Sequence, residues 1–422
     1  GFVSADAMSP LRSVGGWASP EMELLCACLR PANAGAAAAV LRRSPAIDWP
    51  RFVALAANHH VIPMVCATMK AAARDGAGVP PEWRAQLRSR RTAIAAYNLR
   101  ALATAQRLQR ELEAEGVALI PIKGPALALL AHGDVLARQF EDLDFIVRRG
   151  DLLRTVEWLE RDGYRLRELS LRVSRSRYRD SLQNWSFAKS GQAPLDLKPV
   201  LISHALCGAD SADFMAEACR WLPIDARNRL LVPGPEAMLL AVCLDGINEM
   251  WIKLSSVADV AALLAKHAER DWGGFLEIAG RRGLRRALLI GAGVAEELLE
   301  LEPPAAFREA VRRDPAARRL AREAAGRLRT EAPRHAVVVR QAGYALRSRE
   351  RILDRLRFVV RLLFVPGAGD LDRWRLPDAL LPLLALARPF RLAWGVLVRG
   401  SRDRRLTLLP EGEKLSAKAT DS

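Results

Sequence analysis

Two carboxylates, Asp142 and Asp144, stand one residue apart in "EDLDFIV" (141–147), a stretch otherwise made of Leu, Phe, Ile and Val. No other feature narrows the folds open to this chain as much. In a strand, residues i and i+2 face the same side. The spacing therefore predicts both acids on one face, with Leu143 and Phe145 behind them. Two like charges that close repel each other unless a cation lies between them. The chain upstream sharpens the constraint: "VALIPIKG" (117–124) predicts a strand, and "PALALLAH" (125–132) a short helix with Pro125 in its first position. Gly124 lets backbone approach a ligand, a helix start offers free N–H groups to phosphate, and Lys123 adds a point charge. The natural filler between the acids is Mg²⁺, which prefers hard oxygen ligands and shares its shell with substrate phosphates. The pattern points to metal-assisted phosphoryl chemistry. A third carboxylate is expected on a neighbouring strand, and Asp196 in "PLDLKPV" (194–200) provides it.

The surrounding segments predict an α+β protein, mostly helical, with a small mixed sheet between helical regions. "DWPRFVALAANHHVIPMV" (48–65) has apolar residues at helical spacing, with Asp48 before Trp49 and Pro50 as a helix start. A long helix follows from about Pro81 and ends near Gly116. "DLLRTVEWLERDGYRL" (151–166) predicts a helix closing at Gly163, and residues 184–201 alternate on both sides of "SGQ" as a hairpin does. From about 235 the pattern is helical again, and residues 305–365 are Arg-rich and helical. The expected organisation is a tail or expression remnant (1–19), an N-terminal helical region (20–114), the catalytic core (115–201), a helical region packing on it (202–300), an Arg-rich helical region (301–402) and a disordered tail (403–422).

The net charge of +16 favours anionic partners without bearing on fold, and an Arg-rich background composition explains it equally well. Few aromatics interleave with the arginines of 312–358, so a nucleic-acid partner is open but unsupported, and a solvated basic face is preferred. The six cysteines form no C-x-x-C pair and mostly sit in apolar runs, as reduced thiols of a cytoplasmic protein do. No signal peptide is expected. No apolar run approaches the ~18 residues of a spanning helix; "ALLPLLALA" (379–387) is too short and contains Pro382. "RTEAPRH" (329–335) is broken by Pro333 and is discounted as a nuclease motif.

"IKGPALALLAHGDVLARQFEDLDFIV" (122–147) resembles the KG…R…D-x-D core of the uncharacterised nucleotidyltransferase family, a branch of the DNA polymerase β-like nucleotidyltransferase superfamily. "DWPRFVALAANHHVIPMV", "MWIKLSSVADVAALL" and the C-terminal "RFVVRLLFVPGAGDLDRWRLP" and "LARPFRLA" resemble further segments of that family, so the likeness covers roughly residues 20–395. It implies a metal-dependent nucleotidyltransferase that moves a nucleoside monophosphate from an NTP, ATP as the first choice, to an acceptor and releases pyrophosphate. Asp142 and Asp144 would bind two Mg²⁺ ions. Asp196 would bind the metal nearer the acceptor and help deprotonate it. Lys123 and Gly124 would hold the triphosphate. Arg138 would touch phosphate or lock its loop onto the sheet. The chain departs from the pattern in having Pro125 after Gly124, Lys198 and Pro199 where the branch often has His and an aromatic, and "CLDGINEMW" (243–251) where it often has a His-containing helix.

Some candidates carry two readings. Asp245, Asn248 and Lys253 would reach the nucleotide base or phosphates, or satisfy helix packing. His59 and His60 are expected to pack or end a helix rather than ligate, and Asp259 to brace its helix. The acceptor is expected to be a small molecule, peptide or saccharide in a biosynthetic pathway. An RNA end, a non-catalytic nucleotide-binding role and a membrane-surface partner in a polysaccharide or peptide assembly stay open, as do base preference and oligomeric state.

Overall fold

The computed structural model describes residues 16–31, 34–44, 46–74, 79–167, 184–198, 219–226, 228–331, 338–365, 383 and 385–392. Pro199, Cys207, the loop residues 75–78, the end of "RTEAPRH", most of "ALLPLLALA", residues 1–15 and the expected C-terminal tail lie outside them. Residues 16–19, expected to belong to the N-terminal tail, join the fold instead: Trp17 packs against the core and Ser19 is buried at the start of the first helix.

Four helices open the chain: α1 (Pro20–Cys28), α2 (Ala34–Arg43), α3 (Trp49–Asn58) and α4 (Ile62–Arg74). Capping sets their starts. Ser19 accepts a hydrogen bond from Met22 N, and Asp48 accepts one from Arg51 N, each with Pro in the first turn. The long helix α5 (Pro81–Ala114) follows and ends where Gly116 takes a positive φ. Its buried amides tie it to the segments around the sheet. Gln109 Nε2 donates to Leu119 O and Leu231 O, and Asn98 Nδ2 donates to Val135 O and Arg138 O.

The sheet then assembles from β1 (Ile120–Pro121), β2 (Leu143–Ile146), β3 (Arg165–Leu166), β4 (Trp185–Ala188) and β5 (Leu195–Lys198), in the order β1-β2-β5-β4-β3. Between β1 and β2 lie α6 (Gly124–Leu127), a π-helical turn (Ala128–His132) and a 3₁₀ turn (Val135–Ala137). Helix α7 (Leu152–Arg161) connects β2 to β3 and ends before Gly163, again at positive φ. Strands β2 and β5 are parallel; the other pairings in this sheet are antiparallel. The register sets Leu143 opposite Leu195 and Phe145 opposite Leu197, all fully buried on one face with Trp185 and Phe187. The same register sets Asp144 opposite Asp196 on the other face.

Residues 202–300, expected to be helical, instead contain an antiparallel hairpin, β6 (Cys219–Pro223) with β7 (Arg229–Pro233). Leu230 and Val232 alternate inward with period two, and Asp225 accepts from Asn228 N in the turn. The strands are short and bounded by Pro223 and Pro233, so their periodicity is weak in the sequence. Helices follow as expected: α8 (Pro235–Asn248), α9 (Leu254–Lys266), α10 (Trp272–Arg281), α11 (Arg285–Leu299), α12 (Ala305–Arg313), α13 (Pro315–Arg329), α14 (Val338–Arg347) and α15 (Ile352–Phe364). The corner between α8 and α9 is tight, with Met250 and Trp251 both at positive φ. Trp251 lies on Gly246, where an added Cβ would stand 2.8 Å from its ring. One continuous apolar core runs from Met22 to Phe358, so the successive regions share an interior. Five free cysteines lie among the described residues, and burial raises the thiol pKa of Cys26, Cys28, Cys66, Cys219 and Cys243.

Candidate active site

The three acids expected to act together are brought together. Ligand atoms of Asp142, Asp144 and Asp196 all lie within 4.8 Å of one another. Backbone geometry accounts for this. Leu143 N donates to Pro194 O and Val147 N to Lys198 O, which locks the parallel register that sets Asp144 beside Asp196. Asp142 sits just before β2, where Tyr97 from α5 donates its hydroxyl to the carbonyl of Glu141. On β4, Ser186 lies opposite Asp196 and donates its hydroxyl to Asp196 Oδ1 at 2.7 Å.

The acids differ in their surroundings. Asp144 is buried, and burial alone would raise its pKa. The Lys123 and Lys198 ammonium groups overcome burial and hold it below the usual carboxylate range. Lys198 Nζ lies 2.5 Å from Asp144 Oδ1, and Lys123 Nζ lies 3.9 Å from Oδ2. Asp142 is open to solvent on one side and crowded on the other. Burial, then the neighbouring Asp144 charge, push its pKa up to about 6. The cluster thus carries more negative charge than its lysines neutralise, and three carboxylate oxygens so close together suit a hard divalent cation.

Lys123 and Gly124 form the corner between β1 and α6. Ile122 N donates to Asp144 O and carries the β1–β2 pairing up to that corner. Gly124 has φ +52, a conformation that favours glycine, whereas an added Cβ would meet its nearest neighbours, Asp142 O and Leu143 Cδ2, only at 3.5 Å. The backbone turn, rather than lack of space, selects the glycine. The turn directs Lys123 across the face of β2 to Asp245 of α8, with Nζ 2.6 Å from Asp245 Oδ2. Burial would lower the Lys123 pKa, but Asp245 and Asp144 more than offset it and raise it. Glu249, one turn beyond Asp245, is raised by burial and by Asp245. Lys253, at the N-cap of α9, bears on the same Glu249 carboxyl with an opposing effect, which extends the charged rim from Lys123 to Lys253.

Arg138 is buried away from solvent. Its Nε donates to Asp259 Oδ1 and Oδ2 at 3.1 and 2.9 Å, and His132 Nε2 lies 3.0 Å from Asp259 Oδ1. With Asn98 holding its carbonyl, Arg138 fastens the loop before β2 to α5 and α9. The loop is thus locked onto helices rather than onto the sheet. Its positive charge still reaches Asp144, whose carboxyl it helps keep ionised. His59 sits at the end of α3 and accepts from Leu254 N through Nδ1, so it is a packing residue as expected.

Lys198, Ser186 and Glu249 join the site beyond the residues expected from the sequence, and Asp245 takes the site role of its two readings. A strand signal was present for two of them: Lys198 lies two residues after Asp196, and Ser186 alternates with Trp185 and Phe187, so all three polar groups share the open face. Asp245 and Glu249 lie at i and i+4, one turn apart near the end of α8, but nothing local links that helix to Lys123.

A family model described as "uncharacterised nucleotidyltransferase" matches residues 45–300, which contain the whole sheet, the acidic cluster and Asp259. No curated protein matches the chain.

Proposed function

Because the chain belongs to the uncharacterised nucleotidyltransferase family, and is thereby a transferase of nucleotidyl groups from an NTP, we propose that Asp142, Asp144 and Asp196 are its metal-binding and catalytic acids. The observation that supports this most is the convergence of three carboxylates beside two lysines on one sheet face. Two Mg²⁺ ions held there would stabilise negative charge on the attacking and leaving oxygens of an in-line displacement at the α-phosphorus. The protein's own groups do the rest. Lys123, set by the Gly124 turn, neutralises the β- and γ-phosphates that leave as pyrophosphate. Ser186 holds one oxygen of Asp196, so the other is presented to the acceptor hydroxyl or amine and takes its proton as attack begins. Arg138 keeps the loop before β2 in place and adds positive potential toward the phosphates. Lys253 is proposed to face the nucleotide at the outer rim.

ATP is the proposed donor, and the proposed acceptor is a small molecule, peptide or saccharide rather than an RNA end. Buried free thiols fit a reducing cytoplasm. The core proposed for the chemistry is 115–201, with 202–300 completing it through Asp245 and Asp259. The test is pyrophosphate release with each NTP and Mg²⁺ in the presence of acceptor libraries, followed by mass spectrometry for an added nucleoside monophosphate. Nucleotide binding without release across all acceptors would make the chain a nucleotide-binding module instead.

A further inference from the structure

All but Leu99 and Ile278 of the exposed large hydrophobics among the described residues lie between 352 and 390, beyond the segment that matches the family. Five of them belong to α15: Ile352 (74% exposed), Leu353, Leu356, Val360 and Phe364. At 3.6 residues per turn these positions form one stripe along the whole helix. Phe358 projects from the opposite side and is buried in the core. The helix is therefore anchored by one face and presents a continuous apolar face to solvent. Arginines border that face: exposed Arg357, in a loose surface pair with Asp354, and half-buried Arg361 follow one edge, and exposed Arg355, which also donates to Arg349 O, follows the other. A second helical stretch, 385–392 with Leu383 just before it, repeats the arrangement. Leu383, Leu386 and Phe390 are exposed at i, i+3 and i+7, with Arg388 and Arg391 interspersed.

We propose that α15 is a membrane-surface helix that seats this transferase on an anionic lipid bilayer. Charge complementarity selects that occupant. An interfacial helix buries an apolar face at the headgroup boundary while arginines on its borders extend their charged ends to anionic headgroups. RNA would match the arginines but leave the four aliphatic side chains of the stripe in water. A second copy of the chain would match the aliphatic stripe but bring the bordering arginines of two like-charged surfaces together, on a protein already at +16. The helix has 13 residues, about 20 Å at 1.5 Å per residue, too short for the ~30 Å hydrocarbon layer. Among the described residues no helix is long and apolar enough to cross a membrane. The contact is thus one of lying on the surface.

The experiment is co-sedimentation of the full chain with vesicles of phosphatidylcholine alone or with added phosphatidylglycerol, at low and high salt and without nucleotide. Wild type is expected to pellet with the anionic vesicles, at least tenfold more weakly with neutral ones, and less at high salt. The double variant Leu356→Glu/Val360→Glu should lose binding by tenfold or more, and Arg357→Ala/Arg361→Ala by several-fold. Leu356, Arg357 and Val360 are exposed and Arg361 is half-buried at the border of the stripe, so the Glu variant should keep the wild-type melting temperature, measured alongside for both. Equal pelleting of wild type and the Glu double variant overturns the proposal, as does failure of wild type to bind anionic vesicles. A wild-type dimer that the Glu variant dissociates, with no vesicle binding, would assign the stripe to self-association and also overturn it. So would salt-sensitive retention of single-stranded RNA without pelleting. Because nucleotide is absent, each outcome is independent of the transfer reaction.

Discussion

The protein builds two charged clusters near the loop before β2, one buried and one open to solvent, and they are built on opposite plans. At Asp259, a fully buried carboxylate is matched by the Arg138 guanidinium and the His132 ring, and both its oxygens are bonded. Burial would raise its pKa, but Arg138 and His132 outweigh that and lower it. At the sheet face, three carboxylates crowd together, two lysines neutralise chiefly Asp144, and Asp142 is left with a pKa of about 6. The first cluster is complete within the chain and fixes a loop. The second has negative charge left over, and that surplus is what a divalent cation would neutralise. Close acids alone therefore do not mark a reaction centre; an acid without an internal counter-charge is the sharper sign.

The largest effect is expected from breaking the complete cluster. Asp259→Asn would leave Arg138 buried without its counter-ion. Loss of one partner of a buried pair typically costs about 3–5 kcal/mol. Denaturant melts should show a loss of that size, unchanged by Mg²⁺ or NTP. Wild-type stability in the variant would mean that Arg138 finds another partner, and the two clusters would no longer differ in kind.

Next comes Asp196→Ala, which acts on the incomplete cluster. Triphosphate binding is expected to rest mainly on Asp142, Asp144 and Lys123, so calorimetric NTP affinity should be largely kept. Single-turnover pyrophosphate release should fall by about 10²-fold or more, since a group used in the transition state is lost. Undiminished release would confine Asp196 to its hydrogen bond with Ser186.

The incomplete cluster was also the more legible in the sequence. Period-two spacing showed that Asp142 and Asp144 share a face, and the alternation around Asp196 marked a second acidic strand. The helix start at Asp48, the length of α5 and the chain reversals at Gly116 and Gly163 were readable for similarly local reasons. The complete cluster was not legible, because Arg138 and Asp259 lie 121 residues apart and only the packing of α9 against the loop joins them. The link from Lys123 to Asp245 is long-range for the same reason. Period-two spacing places Lys198 on the acidic face, but only the parallel pairing of β2 with β5 brings it to Asp144 as a counter-ion. The β6–β7 hairpin was hidden by its shortness and its bounding prolines.

A smaller effect should follow from Lys198→Met. The Lys198 ammonium sits on Asp144 Oδ1, an oxygen that a divalent ion at this cluster would also use. Its removal should tighten Mn²⁺ binding in the absence of nucleotide by about tenfold, or about 1.4 kcal/mol. That is well below the full attraction at contact, because the half-buried lysine swings aside at modest cost when an ion arrives. Weaker or unchanged Mn²⁺ affinity would show that the ammonium and the ion do not compete.

The smallest effect, and the one that tests the contrast most directly, is the pH dependence of stability without metal. A lowered pKa, as at Asp259 and Asp144, adds stability that is present above the unfolded value and lost as pH falls through the folded one. Asp142 has the opposite sign. Its folded pKa, about 6, lies above the ordinary aspartate value of 3.8, so its protonated form favours the native state. That contribution is fully present below about pH 4 and is lost as pH rises through 6. Solvent on the open side of Asp142 screens the repulsion, which limits the expected change to about 1 kcal/mol. In Asp142→Asn the downward trend between pH 4 and 6 should disappear, and the variant should be as stable as wild type or slightly more so at neutral pH. Saturating Mg²⁺ should flatten the same trend in wild type by neutralising the carboxylate, and should do little in the variant. Identical pH profiles for the two proteins without metal would show that Asp142 carries no surplus charge, and the distinction between a complete and an incomplete cluster would fail at the residue on which it chiefly rests.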